Sequence, residues 1–197
     1  MNQKTSSKTK TKNRAYGADK WILLFFALSF IGWAYETVYM LLCSGKFQDR
    51  GFMSLPFCPI YGVSITAAYL LLGTPDGDGE RGLLLRKVNG KWGRYVLYCL
   101  FAFLIPSIAE LAVGWVFDKR FHTTLWDYSG IPLNIGGYVC APVSFAWALM
   151  LFAFMKWCFL PLKKGIGKLP KKISVIFAVG ICLAAAIDLF VNFSKVI

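Results

Sequence analysis

The sequence predicts an all-α polytopic membrane protein, a bundle of about five transmembrane helices with its N-terminus in the cytoplasm. Three observations carry that prediction. Hydrophobic residues make up 57% of the 197-residue chain and charged residues only 16%, against roughly 25% charged in a soluble domain. Five apolar runs are long enough to cross a hydrocarbon core of roughly 30 Å at 1.5 Å per residue. The Lys and Arg residues divide 17 to 5 between alternate connecting segments, and the richer set marks the cytoplasmic side.

Residues 1–20 form a basic tail rich in Lys, Thr, Ser and Asn. It lacks the apolar content to fold and is expected to be a disordered cytoplasmic segment. The single membrane domain covers 21–197, with spans at Trp21–Cys43, Phe52–Gly73, Tyr95–Phe117, Tyr138–Leu160 and Ile173–Phe193. The first run is too long for a cleavable signal peptide, contains Glu36 and lacks a small-residue cleavage site. The second is the least regular, because Pro56 and Pro59 sit in its first two turns, where proline is tolerated. Thr74–Arg81 reads as a flexible turn by its Gly, Pro and Asp content. Pro161–Lys172 reads as a tight basic loop on the lipid surface.

The net charge of +12 would suggest nucleic acid in a soluble protein. Here the excess sits in short stretches between apolar runs, where anionic headgroups attract Lys and Arg, so the expected partner is the bilayer and no nucleic acid. The six cysteines form neither a CxxC pair nor a Cys/His cluster, so no metal site, cofactor or disulfide framework is expected. The chain has no Ser/His/Asp set, no HExxH and no GxxxxGK[ST], and no catalytic residue is assigned. Any ATP hydrolysis coupled to this protein would need a separate subunit.

Each odd-numbered span carries one carboxylate, Glu36, Glu110 and Asp188, and each is the sixteenth residue of its span. All three are therefore expected at similar depth toward the outer leaflet. An acid near mid-membrane costs on the order of 3 kcal/mol on insertion scales, so such residues usually face a bundle interior or water. Steps of three and four share a helix face. They align Glu36 with Gly32 and Ser29, Glu110 with Pro106 and Gly114, and Asp188 with Ala184 and Gly180. Small residues let membrane helices approach closely, so the acids are expected to point at protein. They could lock the bundle by interhelical hydrogen bonds, or serve as ligand or proton sites.

Two outer loops lead into the even spans, and both run from an acidic helix through polar residues and glycine to a cysteine and proline. Such an echo fits a weak parallel duplication of spans one–two and three–four, a device of transporters. Arg50 is a permanently charged, bidentate candidate for an acid or an anionic solute group. Trp126, Asp127, Tyr128 and Asn134 offer stacking, charge and hydrogen bonding, although Trp and Tyr also populate interfacial aromatic belts. His122 stands alone in a loop and receives no role.

The stretch Ile31–Gly32–Trp33 to Glu36, then Arg50–Gly51–Phe52 and Pro56–Phe57–Cys58–Pro59–Ile60–Tyr61–Gly62, resembles the opening signature of the ABC-transporter type IV membrane family, the CmpB-like proteins of bacteria. Glu110, Trp126–Asp127–Tyr128–Ser129, Pro132, Asn134, Gly137 and Ser144 to Trp147 resemble its second signature. Two positions depart: Tyr138 stands where an arginine is expected, and Leu55 where a glycine is more usual. The resemblance implies a permease or permease-like subunit in a bacterial cell membrane, handling a small polar solute. Candidate ligand or proton residues are then Glu36, Arg50, Tyr61, Glu110, Trp126, Asp127, Tyr128, Asn134 and Asp188. It also implies a partner ATPase or second membrane subunit and a homo- or hetero-oligomer. A structural or regulatory subunit, and an intramembrane enzyme acting on an envelope or lipid-linked substrate, stay open as alternatives.

Overall fold

A computed structural model describes residues 16–45, 54–78, 82–124 and 126–194. The basic tail before residue 16, and Arg50, lie outside the described residues. The chain runs α1 (Ala18–Ser44), α2 (Pro59–Leu72), α3 (Lys91–Phe121), β1 (Asn134–Ile135), β2 (Val139–Cys140), α4 (Ala141–Trp157), α5 (Phe159–Gly167) and α6 (Lys171–Phe193). Among the described residues the fold is helical apart from one small antiparallel hairpin, in which Asn134 faces Cys140 and Ile135 faces Val139.

Among the described residues three helices, α1, α3 and α6, are long and apolar enough to cross a membrane. A fourth span arises if α4 and α5, which meet at a 42° bend, are counted as one. The remaining expected span is shorter than the sequence predicts: α2 has 14 residues, about 21 Å of helix. Its cause lies in the prolines. Pro59 occupies the first turn of α2 and Cys58 before it is extended, because a residue preceding proline is driven out of the helical region. The expected loop Pro161–Lys172 is likewise corrected, since much of it is helix α5, whose Phe159 is fully buried.

α2 packs antiparallel along α1. Tyr61 lies against Gly32, Gly62 against Ser29 and Phe25, and the Tyr69 ring is 6.1 Å from that of Trp21. No side chain at Gly32 would fit, since its Cβ would enter the Tyr61 ring. The core where α1, α2, α3, α4 and α5 meet is built from Leu24, Leu28, Tyr69, Tyr98, Met155 and Phe159 among others. Apolar side chains outside this core, such as Leu42, Ile60, Ile176 and Phe190, are exposed over more than 60% of their surface, as expected of helices that face lipid.

The described basic segments meet at one end. Tyr16 donates to the Lys163 carbonyl at 3.3 Å, and the Lys20 ammonium reaches the Gly167 carbonyl. The Lys163 ammonium donates to the Tyr69 hydroxyl at 2.6 Å and lies within 5.2 Å of the Tyr16, Trp21 and Tyr69 ring centres. Cation–π attraction of this kind suits a lysine sitting among aromatic faces. Arg94 is buried at the same end and donates to the carbonyls of Thr74, Pro75 and Leu85 at 2.9–3.2 Å. The fork of one guanidinium thus closes the turn between α2 and α3.

Candidate functional site

The segment entering α2 has an unusual position. The Cys58 amide donates to the Ser29 carbonyl at 3.1 Å, and Phe57 is buried with its ring 5.3 Å from Phe26. Ser29 lies eleven residues into α1, about 17 Å along its axis. An irregular stretch of chain, residues 54–58, is therefore inserted half-way along the bundle. Its backbone groups need partners that water would supply at a surface. Asp188 supplies them: its Oδ2 accepts from the amides of Ser54 at 2.9 Å and Leu55 at 3.2 Å. Asn192, one helical turn on, donates to Asp188 Oδ1 at 3.1 Å and to the Ser54 hydroxyl at 3.0 Å.

Glu36 is half-buried on α1 and accepts from the Tyr61 hydroxyl at a long 3.4 Å. The Tyr61 ring also neighbours Trp147 of α4, 6.4 Å away between centres. Glu110, half-buried on α3, accepts from the Tyr128 hydroxyl at 2.9 Å. Burial, reinforced by that hydrogen bond, pushes the Tyr128 phenol up to about 12. Among the described residues the three acids thus take their donors from three different places: a helix, a loop and an inserted backbone segment.

The loop from 126 to 140 is a knot of local bonds that covers α3 and the start of α4. The Trp126 indole donates to the Tyr138 carbonyl at 2.7 Å. Asp127 accepts from the Ser129 amide at 2.8 Å and its hydroxyl at 3.0 Å, an Asx-type turn; those bonds hold its carboxyl below the usual carboxylate range. Asn134 donates to the Ile131 carbonyl at 2.7 Å and accepts from the Gly137 amide at 3.2 Å. Gly136 and Gly137 take φ of 60° and 75°, which a β-carbon would strain. Most of these side chains serve the loop's own shape, while Tyr128 reaches Glu110 on α3.

Of the sequence candidates, Glu36 comes together with Tyr61, and Glu110 with Tyr128, while Trp126, Asp127 and Asn134 build the loop. Asp188 is set apart with Ser54 and Leu55. Its small-residue stripe through Ala184 and Gly180 is exposed, and the packed face of α6 instead runs Ser174, Ala178, Ala185, Asp188 and Asn192. The covered stripe lies one residue along from the expected one, because small residues do not by themselves tell which of two faces is covered. Sequence reasoning missed Ser54 and Asn192, whose roles depend on a contact 138 positions apart. It also gave no partner to Tyr138, whose hydroxyl donates to Asp118 at 2.8 Å. That acid also pairs with Lys119 at 3.0 Å.

The family model described as "Putative ABC-transporter type IV" matches residues 23–193. No curated protein and no solved structure matches the chain.

Proposed function

Since the chain belongs to the ABC-transporter type IV family, we propose that it is the membrane-embedded subunit of a transporter for a small polar solute. In this reading the chain crosses the cell membrane five times from a cytoplasmic N-terminus, with α2 completed by the segment inserted before it. Support comes from the antiparallel pairing of α1 with α2 and from the gathering of basic segments at one end. The solute passes near Glu36 and Glu110, which act as ligand or proton sites. Asp127 stands at the mouth.

The observation that carries this reading is the start of α2 half-way along the bundle, beside the Glu36–Tyr61 pair. Transporters place sites at broken helices, because irregular backbone at membrane depth is tolerated only where protein or a water-lined cavity satisfies it. A half-length helix also presents its positive end to the site. Asp188 belongs to a different class: its oxygens are used by backbone amides and Asn192, which suits a structural fastening.

The partners are a separate ATPase and, with so few helices for a complete pathway, a second membrane subunit or a second copy. Purification from native membranes in mild detergent tests this. A near-stoichiometric nucleotide-binding subunit is expected, with ATP hydrolysis reduced at least tenfold by Glu110→Gln in a complex that still assembles. A clean homo-oligomer without any ATPase would sink the ATP-driven reading.

A further inference from the structure

A cavity of about 530 Å³ lies at the end of the bundle opposite Glu110, lined by Asp76, Asp78, Asn89, Lys91, Arg94 and Lys156. Arg94 and Glu110 are sixteen residues apart on α3, about 24 Å along the helix, so this is a separate place. Its volume falls within the roughly 300–1,000 Å³ of small-molecule pockets. Two kinds of charge line it. The Lys156 ammonium donates to the Tyr95 hydroxyl at 2.9 Å, and Tyr95 in turn donates to Asp76. Among the described residues, Asp78 and Lys91 make no ion pair with each other or with another side chain. The floor is held rigidly, because Arg94 is tied to the carbonyls of Thr74, Pro75 and Leu85.

We infer that this cavity binds a small zwitterion, an α-amino acid with a neutral polar side chain. Its ammonium is drawn to Asp76 and Asp78 and its carboxylate to Lys91 and Lys156, while the Asn89 amide meets the side chain. Asp78 and Lys91, of opposite sign and without an ion pair among the described residues, give the cavity two charges that complement a ligand carrying both. It discriminates against singly charged relatives, which leave one wall without a partner. Arg94 positions the wall rather than the ligand, since its donors are engaged by backbone oxygens.

The inference goes beyond the transport reading, and binding here is measured without any transport. The probe is radiolabelled glutamine on the purified full-length chain in detergent, compared with glutamine methyl ester, a cation, and N-acetylglutamine, an anion. Glutamine is expected to bind at least tenfold more tightly than either analogue. Asp78→Asn and Lys91→Gln, which remove no side-chain hydrogen bond among the described residues, are each expected to weaken it about tenfold with an unchanged unfolding temperature. Glu110→Gln is expected to leave the affinity unaltered, which separates this site from the one proposed above. Absence of glutamine binding, equal affinity for the singly charged analogues, or undiminished affinity in both wall variants would overturn the inference.

Discussion

Tyr128 shows how one hydroxyl ties a loop to a span. Its phenol donates to Glu110, and burial together with that bond pushes it up to about 12 from the ordinary phenol value of about 10. A phenol whose folded pKa is raised holds its proton more tightly in the native state. Its contribution to stability is therefore complete below about pH 10 and is lost as pH rises toward about 12. The unfolding temperature of the wild type is expected to fall more steeply over that window than that of Tyr128→Phe, which has no phenolic proton to lose. Parallel slopes would show that the bond does not tie the loop. Glu110 and Tyr128 were both legible in the sequence as candidates, the acid by its place in an apolar run. Their pairing was not, because eighteen residues of helix end and loop separate them.

At the scale of elements, two fastenings hold irregular chain against helices. Asp188 supplies acceptors to the amides of Ser54 and Leu55. Asp188→Ala is expected to cost about 1–2 kcal/mol, the loss of hydrogen bonds from one exposed and one half-buried amide to a charged acceptor. Asp188→Asn, which keeps one acceptor oxygen, is expected to cost less. Chemical unfolding in a single detergent reads both, and a neutral Ala variant would show that the segment finds other partners. Arg94 closes the turn from α2 to α3 with bonds to three residues' carbonyls. Arg94→Met is expected to cost roughly 3 kcal/mol or more, since hydrogen bonds to a charged group each contribute about 1.5–3 kcal/mol. Arg94→Lys is expected to recover little of it, because a single ammonium cannot reproduce the planar fork. Full recovery by lysine would mean that charge, and not geometry, closes the turn. The sequence marked Arg94 only as one of many basic residues beside a span; its burial follows from where the turn folds.

For the whole molecule, the ordering of helices and the segregation of basic segments predict the path across the membrane. In a chain whose native cysteines are replaced, a cysteine at Ser129 is expected to react with a membrane-impermeant thiol reagent in intact cells. One at Lys87 is expected to react only after the cells are opened. Equal labelling of both in intact cells would refute the five-pass path. The apolar runs, the 17-to-5 division of Lys and Arg and the three span acids could all be read from the chain itself, because each depends on local composition and the fixed rise of a helix. Tertiary structure alone decided that α2 starts half-way along α1, that residues 161–167 continue as helix, and that the packed face of α6 carries Ser174, Ala178 and Asp188 in place of Gly180 and Ala184. Those outcomes depend on which surface meets which. A helix with small residues on two faces, or a proline-broken entry with unpaired amides, has no preference until a distant side chain arrives to cover it.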